Sequence, residues 1–400
     1  MVSVQKQGIT PWTLSLFAVS VFMVRAVMLM LGPILVALAD DFGTTLAVAG
    51  QLAAATFITW GITAPLVGPI SDAHGRRPVL LLGIALISTG SLASGLAWDY
   101  GSLMVFRLIT GIGCAMVPPT VMAALADSLP PEKVGRAVGF ITASSWVGVA
   151  LGVPGIALLS YVGDWRLTFY VVGLITLALW GLLWRWLPRA DRPVYKSVDP
   201  IERFKSIGRR AGPWFVLIAN ASQQAVLLGL TTYFAAYMIE SHGWDEASTA
   251  PGLALLGVGA VIGSSAGGFI AGLARRLDYL AVISLTGGIL AAAVFATGAN
   301  PWIVVITAFV ASMLVSVSMP ILMTIMMGLA GDSKGTAGGM FSTSNQTGGF
   351  IGASAGGLML SLGGFSALGL LYLCSAALSA AIVGLLMRSS APFRLKGTSR

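Results

Sequence analysis

The sequence has few charged residues. Asp, Glu, Lys and Arg make up 10% of its 400 residues, whereas 56% are hydrophobic. A soluble domain carries about 25% charged residues, so this composition excludes a soluble protein and predicts one that lies in a lipid bilayer. The first apolar run begins near Pro11 and is too long for the core of a cleavable signal peptide. We therefore expect it to remain as a transmembrane helix.

Cysteine and histidine are also scarce, with two of each. Cys114 and Cys374 lie inside apolar runs, which predicts neither a disulfide framework nor a cysteine metal site. The sequence shows no nucleotide-binding glycine loop, no paired carboxylates and no Ser/His arrangement of the kind that enzymes use. We therefore expect no enzyme activity, no cofactor and no ATP-driven step.

Apolar runs of about 20 residues, the length that crosses a bilayer as a helix, occur along the whole chain. They begin near Pro11, Thr45, Val79, Ser102, Gly135, Leu167, Pro213, Thr249, Tyr279, Trp302, Gly335 and Gly364. A polar stretch separates the first six runs from the last six. The pattern predicts an all-α membrane protein with six helices over 1–187, a cytoplasmic linker over 188–212 and six helices over 213–400.

The basic residues indicate how the chain is oriented. The formal net charge is +8, which in a soluble protein would suggest nucleic acid as a partner. Here almost every loop Lys and Arg falls on one side if the N-terminus is cytoplasmic, and Arg166 is the exception. The positive-inside rule therefore places both termini in the cytoplasm, and we expect no nucleic-acid partner.

An internal repeat relates the two groups of runs. Residues in the fifth run recur in the eleventh at an offset of 200, namely Gly135, Ala137, Gly139, Gly148 and Gly152 as Gly335, Ala337, Gly339, Gly348 and Gly352. Such an offset, half the length of the chain, predicts two parallel, pseudo-symmetric six-helix bundles, a repeat known in secondary transporters.

The loop between the second and third runs carries a distinctive motif. It reads G-P-I-S-D-A-H-G-R-R-P over 68–78, and its acid and arginines can form charge-assisted hydrogen bonds that break and re-form. It resembles the signature loop of the major facilitator superfamily, a family of secondary transporters, although Ala73 stands where the family usually has Arg. The resemblance implies the fold of that superfamily and a cytoplasmic latch between its conformational states. The implied latch residues are Gly68, Asp72, Gly75, Arg76, Arg77 and Arg136.

Two further motifs resemble the twelve-span drug:proton antiporter branch of that superfamily. Arg107 opens R-L-I-T-G-I-G in the fourth run, which is similar to a family motif linked to proton coupling. In the fifth run, a Gly/Pro-rich element is similar to one that implies helix packing and a hinge. Its members are Gly148, Gly152, Pro154 and Gly155. The resemblance implies a coupling proton, a monomer and a multi-pass location in the inner, or cytoplasmic, membrane.

Arg25 and Arg107 are the ionisable residues that lie well inside apolar runs, and such residues indicate a functional site. With a helix rise of about 1.5 Å per residue, both lie at a similar depth, so an anion between them would offset their mutual repulsion. We expect them to bind an anionic group of the substrate. The alternative is that Arg107 is structural or couples transport to protons, while Arg25 extends to the outer interface.

Uncharged polar residues in the second half of the chain are expected to complete a substrate site. They are Asn220, Gln223, Gln224, Tyr233, Tyr237 and Gln346. Gln223 and Gln224 cannot both face a cavity, because neighbouring helical residues point about 100° apart. Hydrogen bonding between helices is the alternative role for this set.

These features leave several functions open. The arginines favour a small organic anion as the substrate, whereas the family motifs favour the export of amphiphilic compounds by proton antiport. Met319, Met323, Met326 and Met327 could bind soft Cu(I), but Met is also an ordinary filler of cores and drug pockets. A receptor or lipid-scrambling protein that transports no solute could share the fold.

Overall fold

A computed structural model describes residues 10–187, 207–273, 275–296, 300–330 and 334–389. Nearly all of them are helical. The helices are α1 (Pro11–Leu29), α2 (Leu35–Asp41), α3 (Leu46–His74), α4 (Arg76–Gly95), α5 (Tyr100–Ser128), α6 (Pro131–Val147), α7 (Val153–Val162), α8 (Trp165–Trp186), α9 (Ala211–His242), α10 (Glu246–Ile270), α11 (Arg276–Ala296), α12 (Pro301–Ser316), α13 (Ser318–Leu329) and α14 (Lys334–Ser389). A π-helical turn, Gly148–Gly152, joins α6 to α7.

Eleven helical stretches of the described chain are long and apolar enough to cross a membrane. Each of the first eleven predicted starts lies within four residues of an observed helix start. The twelfth, near Gly364, falls inside α14, where Gly363 and Gly364 leave the helical conformation. Gly364 has a φ of +65°, which favours glycine because it has no Cβ. The prediction of a multi-pass, all-helical membrane protein is confirmed.

Acidic residues begin the helices at one end of the molecule. The side chains of Asp99, Asp164 and Asp245 accept hydrogen bonds from backbone N–H groups in the first turns of α5, α8 and α10. Hydrogen bonds from Ser102 hold the pKa of the Asp99 carboxyl below its usual value. Following the predicted topology, we call this end the outer end and the opposite one, near Asp72, the inner end.

In each half, a glycine allows an equivalent pair of helices to pack closely. A Cβ on Gly148 would lie 2.5 Å from the carbonyl oxygen of Phe22 in α1, so no side chain fits there. Gly348 in α14 approaches the carbonyl oxygen of Ala221 in α9 in the same way. The pairs Gly148–Phe22 and Gly348–Ala221 are related by offsets of 200 and 199, close to the offset of 200 in the sequence repeat.

The two halves are packed together at the outer end and also nearer the middle of the helices. A Cβ on Gly257 in α10 would lie 2.6 Å from Ala150 Cα, and one on Gly357 in α14 would lie 2.6 Å from the Ala47 carbonyl oxygen. Gln51 Nε2 also donates a hydrogen bond of 3.2 Å across this seam to the Ser354 carbonyl oxygen. Small residues therefore seal the outer end through backbone-to-backbone contact.

Candidate functional site

A small central cavity lies between the halves. Its walls include Arg25 and Trp146 from the first half and Gln224, Asn345 and Gln346 from the second half. The cavity volume is about 40 Å³, which is room for roughly three water molecules. An organic solute needs a site of about 300 Å³ or more. The cavity must therefore widen before such a solute can enter.

Arg25 supplies the charge at this cavity. Its Nε donates a hydrogen bond of 2.9 Å to Ser145 Oγ, and its guanidinium carbon lies 5.8 Å from the centre of the Trp146 ring. Nη1 approaches Met28 Sδ at 3.9 Å. Among the described residues, no carboxylate lines the cavity and no ion pair includes Arg25. A guanidinium has five N–H donors, so Arg25 retains the capacity to bind an anion.

The opposite wall is polar but uncharged. Asn220 Nδ2 donates hydrogen bonds to Ser344 Oγ at 2.7 Å and to Asn345 Oδ1 at 2.6 Å, which orients the Asn345 amide. Gln346 is 4% exposed, and its Oε1 has no hydrogen-bond partner in the described part of the protein. A buried acceptor without a partner is costly, so this oxygen is suited to accept a hydrogen bond from a bound molecule.

Arg107 lies away from the cavity in this structure. It is fully buried, with Nη2 donating hydrogen bonds to Ser94 Oγ at 3.1 Å and Thr110 Oγ1 at 2.9 Å. Its Nη1 approaches Met30 Sδ at 3.6 Å, and the Phe169 ring centre lies 4.8 Å from its guanidinium carbon. The guanidinium is thus held among neutral groups of the first half, and its Nε has no partner among the described residues.

The comparisons with known proteins identify the family. The profile described as Major Facilitator Superfamily matches residues 17–353, most of the chain. The chain belongs to the major facilitator superfamily. A bacterial homologue of the human lysosomal transporter Spinster, solved in an inward-facing occupied conformation, has the same fold. The TM-score is 0.76 at 18% identity, over 94% of this chain and 96% of that one.

Several relatives within the superfamily are named as transporters. The putative transporter AraJ of Escherichia coli K12 is 26% identical over 335 residues, covering 82% of this chain and 83% of its own. The 3-(3-hydroxy-phenyl)propionate transporter of the same organism is 35% identical over 126 residues, 31% of this chain and 30% of that protein. The hexuronate transporter of Bacillus subtilis 168 is 22% identical over 241 residues, 58% and 57% of the two chains.

Four of the six uncharged polar residues expected at the substrate site of this superfamily member do not line the cavity. Asn220 lies behind the wall, bonded to Ser344 and Asn345. Gln223 is fully buried, does not line the cavity, and has no partner for either amide atom among the described residues. Tyr233 donates a hydrogen bond of 2.6 Å to the Ala353 carbonyl oxygen at the outer seam. The Tyr237 ring packs on Phe295, with ring centres 5.3 Å apart. Gln224, Gln346 and Arg25 are the predicted residues that meet at the cavity.

Ser145 and Trp146 were not predicted from the sequence, although both contact Arg25 and Trp146 lines the first-half wall. Both lie at an offset of 200 from Asn345 and Gln346 of the opposite wall. The repeat could have identified them, because equivalent helices of the halves contribute equivalent positions to a central site.

The signature motif of the superfamily joins helix ends at the inner side. Arg76 forms an ion pair with Asp72 at the end of α3, and its Nε donates to Asp127 Oδ2 in α5 at 2.9 Å. Arg77 Nη2 donates to the Trp184 carbonyl oxygen in α8 at 2.7 Å. All these contacts lie within the first half, so in this conformation the motif ties α3, α4, α5 and α8 together.

The other predicted latch residues have simpler surroundings. Gly75 ends α3 with a φ of +92°, a conformation that glycine adopts without strain. Gly68 has open space where a Cβ would point. Arg136 is exposed and forms no ion pair within the described part of the chain.

The Gly/Pro-rich element contains the π-helical turn, Gly148–Gly152. Pro154 follows this turn and has no N–H to donate to the carbonyl of Ala150, and its ring would clash with that carbonyl in a regular α-helix. A wider π turn relieves the clash. Gly152 packs on Ala26 Cβ at 2.7 Å, measured from an added Cβ, whereas Gly155 faces open space. The turn thus contacts both α1 and α10.

Proposed function

We propose that this secondary transporter carries a small organic anion, whose carboxylate binds Arg25 in the central cavity. The observation that carries the proposal is the guanidinium of Arg25 at the cavity wall without any carboxylate among the lining residues. A charge that deep in a membrane protein is costly unless it is paired, and a substrate anion would pair it. The remaining N–H donors of Arg25 suit the two oxygens of a carboxylate.

The names of relatives support an organic acid. Hexuronate, L-galactonate and 3-(3-hydroxy-phenyl)propionate, for which three relatives are named, all carry a carboxylate. These relatives are 22–35% identical to this chain over part of its length. They support the class of substrate rather than any one compound.

Multidrug export by proton antiport is the second candidate. The Gly/Pro-rich element with its π turn, Gly148–Gly152, resembles the antiporter branch and favours this function. The absence of an acid from the cavity lining disfavours cationic drugs. The copper alternative has less support, because Met319 lines the cavity but Met326 is fully buried in a hydrophobic core.

We also propose the topology and the cycle. Residues 334–362 and 365–389 of α14 would be separate spans, which gives twelve spans in total. The protein would lie in the inner membrane, with both termini in the cytoplasm. The bundles would comprise 1–187 and 213–400, although 188–206 of the linker lie outside the described residues. They would rock about the cavity as a monomer, with the motif around Asp72 as the latch and the Gly/Pro-rich element as the hinge.

Arg107 has a different part in this proposal. We propose that it is a coupling residue rather than a first contact for the substrate, because it is buried among neutral groups away from the cavity. Its motif resembles the superfamily element linked to proton coupling. A coupling proton is therefore included in the proposed cycle.

The test is solute flux into proteoliposomes under an imposed pH gradient. Wild type and Arg25→Gln are compared with small carboxylates and with lipophilic cations, and Arg166→Gln at the outer surface is the matched control. We expect carboxylate flux that falls about tenfold or more in Arg25→Gln, since a hydrogen bond to a charged group contributes about 1.5–3 kcal/mol. Cation flux that survives Arg25→Gln, without carboxylate flux in wild type, would make the protein a drug exporter.

A further inference from the structure

Arg25 and Gln224 occupy the same place in the two halves. They are 199 residues apart. Arg25 packs against Gly148, and Gln224 packs against Gly348, the equivalent glycine of the second half. A Cβ on Gly148 would lie 3.1 Å from Arg25 Cβ, and one on Gly348 would lie 2.6 Å from Gln224 Cβ. Because the backbones are equivalent, the different chemistry of the two positions comes from the side chains alone.

The residues that surround these two positions also differ between the halves. In the first half, Arg25 contacts Ser145 and Trp146, whereas the equivalent residues of the second half are Asn345 and Gln346. One wall of the cavity therefore offers a cation beside an indole ring. The other offers amide groups, which can both donate and accept hydrogen bonds.

Gln346 provides the amide wall with an acceptor that no described residue fills. Its side chain lines the cavity and is more than nine-tenths buried, and its Oε1 is enclosed and has no partner among the described residues, so a donor can reach it once the cavity widens. Gln224, beside it, forms no hydrogen bond with a described residue through its side chain and is 7% exposed. An amide oxygen can be satisfied only by a donor, and a carboxylate offers none at neutral pH. A hydroxyl group is the simplest donor that a small anion can carry.

We propose that the substrate is a hydroxylated monocarboxylate, bound with its carboxylate on Arg25 and with a hydroxyl group donating to Gln346 Oε1. The inference rests on the proposed function, since it adds an orientation and a hydroxyl requirement to an organic anion. The carbon skeleton lies against Trp146, whose ring provides apolar contact beside the charge. One wall thus selects for the charge and the other for the hydroxyl.

The test compares gluconate with hexanoate, which share six carbons and one negative charge but differ in hydroxyl groups. Binding to the purified full chain in detergent is measured by calorimetry for wild type, Gln346→Met and Arg25→Gln. Thr347→Val is the matched control, because Thr347 is next to Gln346 on the same helix but exposed, with its hydroxyl bonded to the Thr343 carbonyl oxygen.

We expect wild type to bind gluconate roughly tenfold or more tightly than hexanoate, since a site built to bind a hydroxyl discriminates against the analogue that lacks it. Gln346→Met should weaken gluconate binding by about tenfold and leave hexanoate binding within roughly twofold, the result of losing one acceptor. Thr347→Val should match wild type for both.

Equal affinity of wild type for both acids, with both lost in Arg25→Gln, would overturn the hydroxyl requirement and leave the proposed anion transport standing. Binding of neither acid, together with binding of a lipophilic cation, would overturn both. If Gln346→Met does not elute as a folded protein in size-exclusion chromatography, the wild-type ratio of the two affinities decides the question, since a ratio of roughly tenfold or more supports the hydroxyl requirement and equal affinities overturn it.

Discussion

Replacing Gly257 with valine should push α10 away from the π turn and so favour an open outer end. Gly257 in α10 is packed on the π turn of the first half, and a Cβ there would lie 2.6 Å from Ala150 Cα and 2.8 Å from Ala150 N. Both contacts are with backbone, which cannot rotate away as a side chain can. The clash exists while α10 packs on the π turn, as it does with the outer end closed, and disappears when the two halves separate there.

The size of the effect follows from these distances. Non-bonded carbon atoms pack at about 3.5–4.0 Å, so an added Cβ at Gly257 is about 1 Å too close to Ala150. Overpacking of this kind costs typically about 1–3 kcal/mol. Because the cost applies to the closed outer end alone, it should shift the equilibrium towards an open outer end by about 5- to 150-fold.

The assay is the distance between spin labels across the outer seam. Labels replace Val162 at the end of α7 and Ser248 in α10, both exposed, in a Cys374→Ser background. Gly257→Val should move the distance distribution to longer values and stop transport. The control is Gly268→Val, because Gly268 lies on the same helix with no atom within 4 Å of an added Cβ.

A short, unchanged distance distribution in Gly257→Val with normal transport would show that this prediction is wrong. It would mean that the seam between α10 and the π turn does not need backbone contact to close. A loss of transport in both Gly257→Val and Gly268→Val, with unchanged distances, would point to a cost of β-branched residues in α10 rather than to the seam.

Two further predictions concern the charged residues of the first half. Asp72→Asn should slow transport more than it weakens substrate binding. The substitution weakens the contact of Arg76 with α3 at the inner end and leaves the cavity intact. Equal losses of transport and of binding would count against a latch. Arg107→Met should raise the melting temperature by about 2–4 °C, because it removes a buried charge that no described carboxylate pairs. The same substitution should reduce proton-coupled flux. A lower melting temperature with unchanged flux would make Arg107 purely structural.

The depths of Arg25 and Arg107 could be predicted from the sequence, but their surroundings could not. Counting residues along each helix placed both guanidiniums at a similar depth, and the motifs identified the superfamily. The count says nothing about the direction in which a side chain points around its helix. In the structure Arg25 faces the cavity, whereas Arg107 is enclosed by Ser94, Thr110 and Phe169 of its own half.

For the neighbouring residues Gln223 and Gln224, too, the sequence did not predict which side chain faces the cavity. Helical geometry alone showed that both could not face one cavity, but it could not say which does. The answer depends on packing, since Gly348 approaches α9 at the carbonyl of Ala221 and beside Gln224 Cβ, which turns Gln224 to the cavity. Gln223 then lies on a buried side of the same helix.

The membrane environment, eleven of the helix starts, the repeat and the superfamily could be predicted from the sequence alone. These follow from composition, run length and spacing, which act along the chain. The tertiary structure decided which polar residues share the cavity, that the outer end is closed, and that the motif around Arg76 joins helices of the first half. These depend on how each helix is rotated about its axis, and that rotation is set by contacts between glycines and backbone of distant helices.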